Sequence, residues 1–171
     1  ARIVVDYRPQ KKDPNQDRIT VGENLIEYPY KLTTRTADLT TCKLLWNSVI
    51  STPGAKFAAS DVKKFYLNIT LDRYEYMHMP LSLFPAAYVE QYGLKNKAKN
   101  GFVYIEIQKG MYGLPQAGVL ANKLLKQRLS KAGYYEVDHT PGVFRLKSRD
   151  VVFTLVVDDL GIKYGSKADI D

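Results

Sequence analysis

The stretch Val151-Val152-Phe153-Thr154-Leu155-Val156-Val157-Asp158-Asp159-Leu160-Gly161-Ile162 decides how the rest of the chain is read. An almost wholly apolar, β-branched segment runs straight into two adjacent carboxylates, and apolar residues then resume. Such side chains favour a buried strand, whereas buried carboxylates without partners are strongly destabilising. Adjacent residues of a regular strand face opposite sides, so Asp158 and Asp159 can serve one site only at a turn where that alternation breaks. The pattern predicts a hairpin of strands 151–157 and 160–164 with the two aspartates at its tip.

A third carboxylate, Asp61, closes another predicted strand, 56–62, in Phe57-Ala58-Ala59-Ser60-Asp61-Val62. Brought together, three carboxylates repel one another unless divalent cations lie between them, and an all-oxygen donor set favours Mg²⁺ or Mn²⁺ over zinc. Two such ions about 3.5–4 Å apart are the apparatus of in-line phosphoryl transfer. Each motif taken alone has a plainer reading, as turn chemistry for the pair and a strand-end cap for Asp61.

Composition narrows the field. The chain has 171 residues, 45% of them hydrophobic, enough for one compact domain or two small lobes with a real core. Its one cysteine, Cys42, excludes an internal disulfide framework, and no Cys/His pairs stand at zinc-ligand spacing. A reducing, intracellular setting (cytoplasm or nucleus) is expected, with no membrane partner, because no apolar run approaches the ~20 residues that span a bilayer. The formal net charge is +7, and it is concentrated: residues 95–131 hold eight Lys or Arg against the single acidic Glu106. A polyanion is the natural partner of such a segment, although a solvated basic face is the commoner meaning of charge alone.

Along the chain, 2–7 reads as a strand, and 8–24, with Pro9, Asp13-Pro14-Asn15 and Gly22, as a mobile loop region. Helical spacing of Leu39, Cys42, Leu45, Trp46, Val49 and Ile50 predicts a helix capped by Thr36 and stopped at Thr52-Pro53-Gly54. A short helix is predicted over 85–92 and a strand over 102–107. A turn-rich hinge over 110–115 then leads into a longer helix, 116–132, stopped by Gly133. That helix carries an apolar stripe of Leu120, Ala121, Leu124, Leu125 and Leu129, with Lys123, Lys126, Arg128 and Lys131 on its other side. Strands 143–146, 151–157 and 160–164 complete the chain. The expected fold is α+β, an antiparallel sheet with its helices on one face.

Three blocks then fix a resemblance: Asp61-Val62-Lys63-Lys64-Phe65-Tyr66-Leu67-Asn68, Met111-Tyr112-Gly113-Leu114-Pro115-Gln116-Ala117-Gly118 and Val156-Val157-Asp158-Asp159. In order and spacing they resemble the signature blocks of reverse transcriptases of long-terminal-repeat retrotransposons, the copia type in particular. Arg2-Ile3-Val4-Val5-Asp6-Tyr7-Arg8-Pro9 and Asp138-His139-Thr140-Pro141-Gly142-Val143-Phe144 resemble flanking segments of the same family.

The resemblance implies a polymerase palm of ferredoxin-like form with part of the fingers: 1–35 and 73–116 as fingers, 36–72 and 117–171 as palm, and no thumb. It makes Asp61, Asp158 and Asp159 the catalytic, metal-holding carboxylates and the carbonyl of Val62 a backbone metal ligand. Tyr66 becomes the ring that closes the sugar pocket against a 2′-hydroxyl, Arg2 a contact to the incoming triphosphate, and Gln116 a residue near sugar and template. Lys109, Lys123, Lys126 and Arg128 would meet the nucleic acid. The implied activity is RNA-directed DNA polymerisation by two Mg²⁺ ions (or Mn²⁺), with RNA or DNA template-primer and dNTPs as partners, within a larger polyprotein or assembly. A catalytically inactive, truncated or domesticated copy, kept as a nucleic-acid-binding or structural module, is the alternative.

Overall fold

The computed structural model describes residues 2–10, 13–22, 26–30 and 32–169, without the side chains of Arg2, Gln16, Asp17 and Lys167. The chain divides into two compact units, one made of residues 1–30 and 66–117, the other of 31–65 and 118–171. It is α+β, and its described sheets are all antiparallel.

The first unit contains two ribbons. Strands β1 (Arg2–Tyr7) and β2 (Asn15–Thr20) pair along their whole length, Arg2 with Thr20 and Tyr7 with Asn15. β2 replaces the loop expected over 8–24. Pro9 and Asp13-Pro14 supply only the connection, closed where Arg8 N–H donates to the Pro14 carbonyl at 2.8 Å. The backbone ladder with β1, rather than apolar alternation, holds this polar strand in place. The second ribbon joins β4 (Thr70–Pro80) to β5 (Phe102–Lys109), with a register shift between Thr70 and Glu75. Met77, Met79 and Val103 are buried beneath it, while Tyr76 and Tyr104 stand exposed. Helices α2 (Ala86–Gln91) and α3 (Leu94–Lys97) lie in the connection between these two strands.

The second unit is built on a five-stranded sheet. Its strands are β3 (Lys56–Asp61), β6 (Tyr134–Glu136), β7 (Val143–Leu146), β8 (Val152–Val156) and β9 (Asp159–Tyr164), in the order β3-β9-β8-β7-β6. β8 is therefore central, and Val151, Phe153, Thr154 and Leu155 are all buried. Burial of successive residues means that both faces of β8 are covered, which is why the sequence reads as a continuous apolar run rather than an alternation.

Two helices provide the cover. Leu125 and Leu129 of α4 (Ala117–Lys131) pack against Phe144, Phe153 and Leu155. On the opposite face, Trp46 of α1 (Leu39–Ser51) meets Phe57 edge to face, with ring centroids 5.6 Å apart. Lys163, paired with Phe57 in the ladder, donates to the Ser48 carbonyl at 3.0 Å. The expected single layer of helices is thus corrected, because Phe57, Thr154 and Lys163 on one face and Phe153, Leu155 and Ile162 on the other each require a partner. The cap of α1 is corrected too: Asp38, not Thr36, accepts from Thr41 N–H, at 2.7 Å.

Candidate active site

β8 and β9 form a tight hairpin in which Val156 pairs with Asp159, leaving Val157 and Asp158 as its two loop residues. Val157 has φ +59°, and Asp158 is not in the positive-φ region. This is the pattern of a II′ turn, whose first loop position normally belongs to glycine. A β-branched residue there is strained, and it sits immediately before the two aspartates.

The edge strand β3 runs antiparallel to β9 and ends on Asp61, directly opposite Asp159. One residue further, Val62 N–H donates to the Asp158 carbonyl at 2.8 Å. The three carboxylate-bearing residues and Val62 therefore come together in the backbone at one end of the sheet. Asp61 and Asp159 are exposed and Asp158 is half-buried. Residues directly opposite on an antiparallel pair have Cβ atoms about 4.5–5.5 Å apart, and like charges so placed repel. Among the described residues neither Asp61 nor Asp159 forms an ion pair. The side chains do not close into a coordination shell: among the described residues no group of three His, Cys, Asp or Glu is arranged to hold a metal ion. The fit to a hard divalent cation is one of donor chemistry and backbone placement, since all the donors are oxygens.

Tyr66, Gln116, Lys109 and Arg2 belong to the first unit. Tyr66 lies in a short 3₁₀ turn (Tyr66–Asn68) and meets Tyr112 edge to face, with ring centroids 5.1 Å apart. The guanidinium of Arg18 stands 5.3 Å from the centre of the same Tyr112 ring. Arg18, Lys109 and Tyr112 also line one shallow cleft, a cluster that sequence patterning did not single out. Gln116 is 0% exposed. Its Nε2 donates to Glu75 at 3.0 Å, and its Oε1 is buried without a donor. Glu75 in turn holds Arg73 at 2.8 Å. Gln116 thus stands buried within the first unit. Arg2 is placed on β1 by its backbone, and its side chain lies outside the described part.

In the second unit, Lys123 and Lys126 line one groove along α4, whereas Arg128 is exposed outside it. Lys126 is held by Glu136 at 2.6 Å. Glu136 also accepts from Gly142 N–H at 2.8 Å, which ties α4 to the loop before β7. Among the described residues no helix is long and apolar enough to cross a membrane.

Comparison with protein-family models, with curated proteins and with solved structures returned no match.

Proposed function

We propose that the chain is the fingers-palm core of a copia-type reverse transcriptase, which extends a primer 3′-hydroxyl with dNTPs on an RNA template. The observation that carries this reading is the pairing of Asp61 with Asp159 beside the Val62 to Asp158 hydrogen bond. Two strand ends that set Asp61 and Asp159 facing each other beside Asp158 favour a cation between the facing pair, because like charges so placed repel. Bound as a pair, Mg²⁺ or Mn²⁺ supplies activation of the 3′-hydroxyl and neutralises the leaving pyrophosphate.

In this reading the buried β8 is the rigid mount of the site, and its strained turn aims Asp158 while Asp159 opens the next strand. Asp61, Asp158, Asp159 and the Val62 carbonyl would hold the cations, which would neutralise the reacting phosphates. Tyr66 excludes a 2′-hydroxyl by bulk, and Arg2 binds the triphosphate as a fixed planar cation. Gln116, buried on Glu75, stiffens the turn that leads into α4, and Lys109 meets the nucleic-acid backbone.

Primer extension on an RNA template with Mn²⁺ and dNTPs tests the reading. Extension that disappears in Asp158→Asn and Asp61→Asn supports it, and extension that survives either change rules it out. Mn²⁺ binding without extension by the wild type favours the non-catalytic module instead.

A further inference from the structure

We propose that the free edge of β3, together with an apolar stripe of α1 above it, is a docking site that takes up an extended peptide of a partner protein as a sixth strand of the sheet. β3 is an edge strand, and all its residues pair with β9 one for one, without a bulge. Among the described residues no backbone group outside β9 bonds to Phe57, Ala58, Ala59 or Ser60. Exposed edges are normally guarded by bulges, proline, charges along the strand or extreme shortness. The opposite edge follows that rule: β6 has three residues, and its Glu136 is tied to α4 by Lys126. β3 does not, because its only charged residues, Lys56 and Asp61, stand at its two ends.

α1 supplies the independent observation. Leu39, Lys43, Trp46 and Ile50 recur four, three and four residues apart and so share one side of the helix. Leu39, Trp46 and Ile50 are 69%, 58% and 84% exposed, while Leu45, on another side, is the buried residue of α1. Trp46 meets the ring of Phe57, so the stripe overhangs the edge strand rather than the middle of the sheet. Open main-chain donors and acceptors beneath apolar side chains are the two halves of a strand-addition site.

This geometry specifies the occupant. A strand added antiparallel to β3 sends alternate side chains to the face of Phe57 and Ala59, where the α1 stripe calls for apolar residues, and the others to solvent. Its C-terminal end lies beside Lys56. Neither Lys56 nor Lys43 forms an ion pair among the described residues, and α1 itself holds no carboxylate, so acidic residues are favoured toward that end of the peptide. A second copy of the chain fits less well. Opposite residues of an antiparallel pair share a face, whereas Lys56 and Asp61, an odd number of residues apart, lie on opposite faces and could not neutralise each other across a two-fold axis. The site works without any metal at Asp61 or Asp159.

The test is fluorescence anisotropy on the whole chain, in EDTA, with a labelled peptide in which isoleucine and threonine alternate before two C-terminal glutamates. Leu39→Ser/Ile50→Ser should weaken binding about tenfold at an unchanged Tm, since both side chains are already exposed. Leu44→Ser removes an equally exposed apolar side chain of α1 outside the stripe and should change Kd less than about twofold. Moving the glutamates to the N-terminus should weaken binding about threefold. N-methylation of alternate peptide residues separates strand addition from simple apolar contact: one alternate set should abolish binding and the other leave it intact, because successive N–H groups of a strand point to opposite sides. No binding by the wild type, an equal loss in Leu44→Ser, or equal effects of the two methylated sets would overturn the proposal. A dimer in light scattering that Ile50→Ser dissociates would overturn it too, by giving this face to a second copy.

Discussion

Asp61 and Asp159 stand directly opposite each other on adjacent antiparallel strands, with side chains on the same face of the sheet. Two exposed carboxylates in that relation repel when no cation lies between them. Replacing one by its neutral isostere should therefore stabilise the metal-free protein. Asp61→Asn is expected to raise stability in EDTA by a few tenths of a kcal/mol, the discounted value for solvent-screened charges. Chemical denaturation with and without Mg²⁺ checks this. The ion should stabilise the wild type and leave the variant where it was.

Val157 occupies a backbone conformation that glycine adopts freely, at φ +59°. Val157→Gly should relieve this strain and stabilise the protein by about 1 kcal/mol, net of the greater freedom of glycine in the unfolded chain. The midpoint of urea unfolding would move up at constant slope. A fall in stability would mean that the Val157 side chain contributes more packing than its half-exposed position suggests.

Gly142 is a different case. At φ +76°, a Cβ added there would lie only 2.1 Å from Ala37 N and 2.8 Å from the Leu155 carbonyl oxygen. Leu155 N–H donates to the Gly142 carbonyl at 2.7 Å, and Ala37 N–H to the Leu155 carbonyl at 3.0 Å. Gly142→Ala should disrupt this three-way junction above β8 and cost about 2–4 kcal/mol, read as a clear drop in Tm.

The fold's most legible parts were those with strong apolar periodicity. α1, α4, β5 and the β8–β9 hairpin follow from Leu, Val and Ile spacing, and the facing of Asp61 and Asp159 follows from two strand ends that carry the only carboxylates in their apolar surroundings. β2 was hidden because Asn15–Thr20 is polar and held by backbone pairing alone. β4 was not singled out either. Its outward Tyr74, Tyr76 and His78 blur the contrast with the inward Met77 and Met79, and a register shift breaks the alternation. Three-residue β6 and four-residue α3 are too short to show a period. The strain at Val157 and the burial of Gln116 and Asn122 depend on tertiary packing, and no local pattern encodes them.

Acid titration offers a separate check on α1. The Thr41 backbone N–H holds the Asp38 carboxyl below the usual carboxylate range. A depressed folded-state value means that the ionised cap stabilises the protein above about pH 4 and that this contribution fades as pH falls through the folded-state value. Asp38→Ala should lower Tm at pH 7 by about 2–4 °C, and the difference should narrow below about pH 3. A gap that stays constant with pH would assign the effect to something other than the charged cap.

The most direct measurement is a count of Mn²⁺ ions bound by the whole chain, by electron paramagnetic resonance titration, in the wild type and in Asp159→Asn. Carboxylates at positions 61, 158 and 159 acting as one ligand set predict two ions in the wild type, with binding that collapses when either facing residue loses its charge. Wild-type binding no stronger than that of Asp159→Asn would contradict the account.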